Sequence, residues 1–469
     1  MVGITSFGAY LPWLRLNRSA LGPFRKGQTA LANFDEDSLT LAVAAAIDCL
    51  SGMEPQRVDG LYLATTTPPY AEKQTATTAA VAAGLRPDVL TADFGHSLRA
   101  STAALRAAAD AVAARTAEQV LVVAADTRLG RPGSAEEMTL GHGAGALLLG
   151  RDKVVAALEA SHSVCHEILD VWRPQGSPFV RSWEKRFAVQ EGYDQAMTQA
   201  VAGLFEKTGL KAADFKKAVF PAADAKSAAA LAKRFGFDPQ TALQDLLLAQ
   251  VGQTGTAQAL MLLGAALEEA APGDRILLAN YGQGADAFVL AVTEEISKLP
   301  PRRGVKGHLA SKHVSDDYRA CLLSREILPG AEPVYPVPFG GVSAPALYRE
   351  TDQNLRLLAA KCQNCGTVQY PPQRICVKCR TQDKFETVSL SDKRGRIFSY
   401  AMDHVSSAID LPAVVAVVDF EGGGRLECLL TDREVKDIAL DLEVEMTFRR
   451  LFRRGDIVNY CWKARPCRV

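Results

Sequence analysis

The clearest chemistry in this sequence belongs to four cysteines in the last quarter of the chain. They form two pairs, Cys362-x2-Cys365 and Cys376-x2-Cys379, with ten residues between the pairs. Two such pairs on tight turns place four thiolates at the corners of a tetrahedron, which suits Zn²⁺. Iron held by the same thiolates is the alternative, but the chain has no other redox motif. A closed shell of four thiolates leaves no open coordination position, so we expect a structural metal.

A second chemical feature is the run Tyr281-Gly282-Gln283-Gly284 at the end of an apolar segment. Glycine-rich backbone at a strand end lets a ligand approach closely. His142, in a Gly-His-Gly turn, either takes part in a site or holds the turn. Cys165 and His166 are adjacent in the sequence, but we do not expect them to form a catalytic dyad. The six cysteines outside the cluster are expected to act as small apolar residues.

Over the first 328 residues, alternating predicted helices and strands must position His142 and the run at 281–284. Helical periodicity predicts helices over 37–50, 75–84, 100–114, 193–208, 225–235, 255–270 and 315–327. Apolar runs predict strands over 2–12, 58–65, 119–125, 143–149, 217–220, 275–281 and 287–292. Residues 92–105 read as a short strand, a sharp turn and the start of a helix. Two successive βαβ-type halves indicate a duplicated α/β architecture with sites at the strand carboxyl ends.

The pattern changes after residue 328. Residues 329–345 are rich in proline and glycine, as expected of a linker. A helix over 346–360 and the cysteine cluster make a predicted helix and zinc ribbon over 346–388. Short strands over 395–402, 413–420, 426–430, 444–451 and 457–462 predict an OB-type barrel over 389–469.

Composition excludes several classes of function. Lys+Arg and Asp+Glu both number 53, so no net charge attracts the chain to nucleic acid or an anionic membrane. The barrel also lacks a basic stripe with interleaved aromatic residues, the pattern of single-strand binding. No apolar run approaches the roughly 20 residues of a spanning helix, and the N-terminus does not read as a signal peptide. We therefore expect a cytoplasmic protein that binds neither nucleic acid nor membrane.

Six segments together carry a family resemblance: 69–77, 92–105, 170–173, 219–220 with Lys226, 273–277 and 281–288. With them, residues 1–328 resemble the 3-hydroxy-3-methylglutaryl-CoA synthase branch of the thiolase superfamily. The resemblance implies duplicated α-β-α-β-α layers, a CoA thioester as substrate or ligand, and a dimer formed through the central sheet edge.

Residues 346–469 resemble a zinc-ribbon plus OB-fold family that accompanies acyl-CoA thiolases and aldolases. The four cysteines, Pro371-Pro372 and residues 395–400 carry this similarity. It implies a module that docks on a thiolase-like subunit and helps enclose the pantetheine arm of CoA. The thiolase resemblance implies a homodimer, or a heteromer with a related thiolase-like chain.

The positions that matter most depart from the synthase pattern. Synthases of this branch use a cysteine nucleophile, a glutamate acid/base and a histidine that supports the thioester oxygen. The matching positions here are Leu98, Thr66 and Pro221. Leucine cannot attack a thioester, threonine is no base at neutral pH, and proline has no side-chain donor. The family's covalent Claisen mechanism therefore does not transfer to this chain.

Two hypotheses follow. In the first, the protein makes or breaks a carbon–carbon bond of an acyl-CoA, as a lyase or transferase, without a covalent acyl-enzyme. The catalytic candidates are His96, Asp224, Tyr281 and Gln253, and the CoA-binding candidates are Lys226, Gly282 and Gly284. His96 could instead be structural, Asp224 could be a helix cap, and Lys226 could be a solvated lysine. In the second hypothesis, the chain is a non-catalytic subunit that binds CoA beside an active thiolase-like partner.

Overall fold

A computed structural model describes residues 1–22, 24–328, 343–405, 410–454 and 456–468. The chain divides into two compact units. The first comprises residues 1–32 and 37–318, and the second comprises residues 33–36 and 319–469. Most of the predicted linker, residues 329–342, lies outside the described residues.

Fourteen strands belong to the described part of the first unit. They are β1 (Gly3–Tyr10), β2 (Leu14–Asn17), β3 (Gln28–Ala30), β4 (Gly60–Ala64), β5 (Leu90–Phe94), β6 (Val120–Asp126), β7 (Gly143–Gly150), β8 (Ala156–Cys165), β9 (Val171–Trp172), β10 (Arg181–Ser182), β11 (Lys217–Val219), β12 (Arg275–Tyr281), β13 (Gly284–Val292) and β14 (His313–Ser315). Nine of them form a sheet in the order β11-β12-β13-β8-β1-β7-β6-β4-β5, which is the duplicated arrangement that the sequence predicts.

This sheet consists of two half-sheets. Strands β1 and β8 share only two residue pairs, whereas β1 and β7 pair along their length. The first half-sheet is therefore β5-β4-β6-β7-β1 and the second is β8-β13-β12-β11. Strands β4, β5 and β6 run parallel, as do β11 and β12. Their carboxyl ends are consequently the places where loops can build a site.

Among the described residues, ten helices pack against these strands or follow them. They are α1 (Ser38–Cys49), α2 (Thr75–Ala82), α3 (Ala100–Ala113), α4 (Ala135–Thr139), α5 (Lys185–Phe187), α6 (Gln195–Thr208), α7 (Ala225–Arg234), α8 (Ala257–Leu267), α9 (Gly304–Ala310) and α10 (Tyr318–Ser324), the last crossing the boundary between the units. Helix α8 contacts both half-sheets, and all eleven of its residues are buried. A helix buried on every side is apolar all round, as the sequence of α8 is.

The structure adds strands that the sequence pattern did not indicate. Strand β8 mixes small and polar residues, so no apolar run marks it, although it pairs with both β1 and β13. Strand β14 and helix α10 replace the single helix predicted over 315–327.

The second unit contains α11 (Ala344–Arg349), α12 (Thr351–Asn354), β15 (Leu358–Cys362), β16 (Val368–Gln369), β17 (Phe385–Ser389), β18 (Arg394–Asp403), β19 (Ala413–Phe420), β20 (Arg425–Leu429), β21 (Glu443–Arg454) and β22 (Ile457–Pro466). Strands β16-β15-β17 form a small sheet, and β20-β19-β18-β21-β22 form the antiparallel sheet of the OB-type domain. The helix predicted over 346–360 is wrong at its end, because β15 begins at Leu358.

A buried ionic cluster lies inside the second unit. Its carboxylates come from the segment 33–36 as well as from the barrel. Lys463 Nζ lies 2.9 Å from Asp35 Oδ2, and Glu36 forms an ion pair with Arg449. Arg449 Nη2 lies 2.5 Å from Asp432 Oδ2. Asp432 also forms ion pairs with Arg465 and Arg468. These side chains are nearly inaccessible to solvent, so each charge depends on its partners rather than on water.

Among the described residues, no helix combines the length and the apolar character needed to cross a membrane.

Candidate active site and metal centre

The turn that joins β5 to α3 contains Leu98 and is held by the end of β12. Asn280 Nδ2 donates to the carbonyl oxygen of Leu98 at 3.2 Å, and Ser97 Oγ donates to the carbonyl oxygen of Gly282 at 2.9 Å. A Cβ on Gly282 would lie 2.6 Å from Arg99 N, so only glycine permits this close approach. The turn is thus firmly built, although the side chain at its tip is half-buried leucine.

The loop after β4 is anchored on a buried carboxylate that the sequence analysis did not single out. Asp126, at the end of β6, accepts hydrogen bonds from Thr66 N at 2.7 Å and Thr66 Oγ1 at 3.0 Å. It also accepts from Thr65 Oγ1, Thr67 Oγ1 and Thr256 N. The hydroxyl of Thr66 is therefore engaged with Asp126. The available signal was the first acidic residue after a continuous apolar strand.

A second chain segment reaches Asp126 through a glycine. Gly255 has φ of +63°, and a Cβ there would lie 2.3 Å from Asp126 Oδ2. This conformation lets the backbone of Thr256 donate to the carboxylate. Gln253, two residues earlier, accepts from Arg128 Nη1 at 3.1 Å. The side-chain oxygen of the candidate Gln253 is therefore already hydrogen-bonded to the buried guanidinium of Arg128.

His142 is buried, and both of its ring nitrogens have partners. Nδ1 accepts from Ala32 N at 2.8 Å, and Nε2 lies 3.2 Å from the carbonyl oxygen of Arg128. These bonds fix the turn before β7, which is the structural alternative given for His142.

His96 occupies the same turn as Leu98 but is exposed, with φ of +66°. The left-handed backbone is uncommon for a residue with a Cβ and reflects the sharpness of the turn.

Asp224 acts as the N-cap of α7, because its Oδ1 accepts from Ser227 N at 2.9 Å. Lys185 Nζ lies 3.0 Å from its other oxygen. Burial would raise the pKa of Asp224, but the bonds from Ser227 and the charge of Lys185 outweigh it and hold that pKa below its usual value. Lys226, in the first turn of α7, is exposed.

Tyr281 belongs to a hydrogen-bonded group at the end of β12. Its hydroxyl donates to Asp170 Oδ2 at 2.8 Å, and Gln283 Nε2 donates to Asp170 Oδ1 at 3.2 Å. Burial, together with the negative charge of Asp170, raises the pKa of Tyr281. Three residues along the chain from Asp170, Arg173 donates to the carbonyl oxygen of Thr66 at 2.6 Å. The segment 170–173 therefore connects the end of β12 with the loop after β4.

These contacts define the candidate site in the first unit. Direct hydrogen bonds join the turn at Leu98 to the end of β12. The segment 170–173 links the loop at Thr66 to them, because Arg173 donates to Thr66 and Asp170 accepts from Tyr281. Tyr281 lies in this group, and His96 lies in the same turn as Leu98. Gln253 is held by Arg128, two residues after Asp126. In the described part of the chain, Asp224 and Lys226 have no hydrogen bond or ion pair with Leu98.

Gly284, the second glycine of the β12–β13 connection, has φ of +114°. A Cβ there would lie 2.2 Å from the carbonyl oxygen of Val164. Its lack of a side chain thus serves packing against β8.

The four predicted metal ligands converge in the second unit. Their sulfur atoms all lie within 4.8 Å of one another. The Sγ–Sγ distance is 3.6 Å both for Cys362 with Cys379 and for Cys365 with Cys376. A tetrahedral site with Zn–S bonds of about 2.3 Å requires sulfur separations of nearly this length. The arrangement therefore fits one tetrahedral metal ion.

The two cysteine pairs sit on equivalent turns. Cys362 N donates to Thr367 O and Cys376 N donates to Thr381 O, both at 2.9 Å. The residue after each second cysteine has positive φ, +73° at Gly366 and +61° at Arg380. Arginine carries a steric cost in this conformation that glycine does not.

Family comparisons agree with the two units. Residues 353–385 match a rubredoxin-like zinc ribbon domain, and residues 387–449 match the C-terminal OB-fold domain of the same family. Residues 205–293 match the C-terminal domain of 3-oxoacyl-[acyl-carrier-protein] synthase III. The predicted ribbon, barrel and thiolase-like domain are confirmed.

Solved structures share the fold. A crystal structure of HMG-CoA synthase complexed with CoA aligns with a TM-score of 0.62 and 20% identity, over 71% of this chain and 92% of that one. The HMG synthase of the curacin biosynthetic pathway, in complex with an acetyl donor-ACP, gives a TM-score of 0.64 and 18% identity, over 83% of this chain and all of that one.

Curated relatives are closer in sequence. Hydroxymethylglutaryl-CoA synthase of Methanopyrus kandleri is 35% identical over 314 residues, which cover 64% of this chain and 89% of the relative. The enzyme of Pyrococcus furiosus is 34% identical over 309 residues, covering 63% and 88%. With a thiolase-type fold and this degree of identity over nearly the whole length of the relatives, the chain belongs to the hydroxymethylglutaryl-CoA synthase family.

Proposed function

We propose that this protein binds an acyl-CoA and makes or breaks a carbon–carbon bond next to the thioester without forming a covalent acyl-enzyme. The observation that carries the proposal is Leu98 at the tip of a turn that Asn280 and Ser97 hold in place. A built turn with an unreactive side chain supports ligand binding without acyl transfer to the protein. Family membership and the CoA complex of a structural neighbour support CoA as the ligand.

The chemistry that suits these groups is aldol or retro-aldol cleavage of a β-hydroxyacyl-CoA. A base takes the β-hydroxyl proton, the carbon–carbon bond breaks, and its electron pair forms the enolate of the thioester, which is then protonated. His96 is our candidate base, because it is exposed in the turn that contains Leu98. Tyr281 is our candidate donor, once ligand binding redirects its hydroxyl from Asp170. Asp224 and Gln253 would act only if ligand binding released them from Lys185 and Arg128.

CoA contacts are proposed from the same loops. Lys226 is exposed and free to reach a phosphate group, while Gly282 and Gly284 shape the backbone around the thioester. We further propose that the metal of the four-cysteine cluster is Zn²⁺. When bound, it would hold the two cysteine turns together and supply no chemistry.

A second candidate is a non-catalytic subunit that binds CoA beside an active thiolase-like chain. The side chains of Thr66 and Asp224 already serve Asp126 and Lys185, which leaves few free catalytic groups. In the described residues, β5 also has a neighbouring strand on one side only, and Leu90 on it is 62% exposed. An unpaired edge strand is a natural surface for a second subunit, identical or related. A homodimer or heteromer is therefore part of this proposal.

The deciding experiment uses the purified full chain. We expect acetyl-CoA to raise its melting temperature and intact mass to show no acetylated protein. Cleavage of a β-hydroxyacyl-CoA by the chain alone, lost in His96→Ala, would support the lyase. Activity that requires a co-purified thiolase-like chain would support the subunit role. Acetylation of the wild-type protein at the candidate site, located by peptide mass mapping, would contradict both, because each assumes that no residue there takes an acyl group.

A further inference from the structure

The first unit contains a buried hydroxyl, that of Tyr193, which has no role in the chemistry proposed above. Tyr193 is only 6% exposed, and its hydroxyl has no hydrogen-bond partner among the described residues. A buried polar group without a partner destabilises the folded protein, so most such groups in native proteins are paired. An unpaired phenol beside a strand-end site is therefore a candidate donor to a ligand atom.

Local structure explains why this side chain points inward. Residues Ala188–Asp194 form a π-helical turn immediately before α6. A π turn is wider than an α turn and is often found at functional sites. Gly192, in the same turn, lies against Tyr281, because a Cβ on it would be 2.3 Å from the Tyr281 hydroxyl. The π turn and the glycine together bring Tyr193 against the end of β12.

Tyr193 lies beside the candidate site. Its ring packs edge-on against Tyr281, with 5.8 Å between centroids and 72° between planes. Tyr281 is followed by Gly282, which accepts from Ser97 in the Leu98 turn. The carboxylate of Asp224, in the loop that also contains Pro221, is near enough to act on Tyr193 electrostatically. Burial, with the charges of Asp194 and Asp224, raises the pKa of Tyr193, so the phenol keeps its proton at neutral pH.

We infer that the hydroxyl of Tyr193 donates a hydrogen bond to the carbonyl oxygen of the bound CoA thioester. This inference rests on the proposed acyl-CoA binding. It gives the site a neutral donor near the loop where Pro221 provides none. No proton is transferred: the phenol keeps its hydrogen while charge develops on the thioester oxygen, and the bond strengthens as the enolate forms.

The test compares Tyr193→Phe with the wild-type full chain, using acetyl-CoA and S-ethyl-CoA, a thioether that lacks the carbonyl. We expect wild type to bind acetyl-CoA more tightly than S-ethyl-CoA. Tyr193→Phe should bind acetyl-CoA roughly five- to ten-fold more weakly and S-ethyl-CoA equally well, as for the loss of one hydrogen bond. The unliganded variant should melt no lower than wild type, because the substitution removes an unpaired group.

Tyr281→Phe is the matched control for a paired hydroxyl. It removes the donor to Asp170, so its unliganded melting temperature should fall. Tyr193 has only a packing role if Tyr193→Phe still prefers acetyl-CoA as wild type does, or if it melts lower and binds both compounds poorly. Failure of the wild-type chain to bind either compound would instead overturn the proposed function on which the inference rests.

Discussion

The two candidate sites of this molecule differ in how their side chains match their scaffolds. In the first unit, the turn after β5 is tightly held, yet Leu98 at its tip has no reactive atom. In the second unit, two equivalent turns each present two thiols, and all four sulfur atoms converge. The difference teaches that an intact scaffold shows where a ligand could bind, whereas chemistry must be read from the side chains themselves.

The largest effect should come from removing one thiolate of the four-cysteine cluster. We predict that Cys365→Ser loses the metal and unfolds the ribbon, because structural zinc sites contribute on the order of 10 kcal/mol of apparent binding free energy. Metal-to-protein ratio and hydrogen exchange over 353–385 measure this. Cys165→Ser, at an exposed cysteine outside the cluster, is the control. A ribbon that stays protected without metal would remove the contrast between the sites.

The next effect concerns the buried charges of the second unit. Arg449→Met leaves Asp35, Glu36 and Asp432 short of one cation and should lower the free energy of unfolding by about 3–5 kcal/mol. Urea unfolding measures the loss. Arg425→Met, which breaks an exposed pair with Asp419, should leave the free energy of unfolding nearly unchanged. Equal losses in the two variants would show that the buried cluster is not needed.

In the first unit, the corresponding buried carboxylate is bound by neutral donors. Asp126→Asn keeps the shape but turns an acceptor into a donor facing Thr66 or Thr256, so we predict a loss of about 1–3 kcal/mol. Weaker acyl-CoA binding should accompany it, because the Thr66 loop loosens. Asp110→Asn on the exposed face of α3 is the control. An unchanged unfolding curve would mean that Asp126 does not anchor this loop.

Leu98→Cys should change stability less than the preceding variants, but it should introduce a new reaction, acetylation of the protein. The thiol would stand just before the N-terminus of α3, which favours a thiolate. We predict acetylation by acetyl-CoA in this variant, by intact mass, with no gain of Claisen condensation, because Thr66 and Pro221 supply no acid/base group. The variant and the protein that retains Leu98 are compared in a Cys165→Ala background, which removes the exposed thiol. Condensation by the variant would show that those two positions do not limit the chemistry.

The smallest effect compares the two cysteine turns with each other. Arg380→Gly relieves a left-handed arginine and should stabilise the second unit by up to about 1 kcal/mol. Gly366→Ala imposes the same cost on the other turn and should destabilise it by a similar amount. Thermal melting with competing chelator measures both. Changes of the same sign would contradict the equivalence of the turns.

Much of the fold followed from the sequence because apolar strands and the cysteine spacing are local signals. β6 and β12 are continuous apolar runs, and the cysteine pairs need no distant residue to be read. By contrast, β8 is defined by strands far along the chain, and the partners of Tyr193 and Asp126 are set by tertiary contacts. Asp224 and Gln253 had the right residue types, but only the structure shows Lys185 and Arg128 holding them.

The segment 33–36 has a consequence for how this chain can be divided. A cut between Tyr318 and Arg319 follows the main boundary of the two units, yet it takes Asp35 and Glu36 away from the barrel. Arg449 would then keep Asp432 but lose Asp35 and Glu36, and Lys463 would lose Asp35. The C-terminal fragment made this way should be poorly soluble. Adding back a short acidic peptide with the sequence Asn-Phe-Asp-Glu should recover it, so the natural joint between the units is not a single point in the sequence.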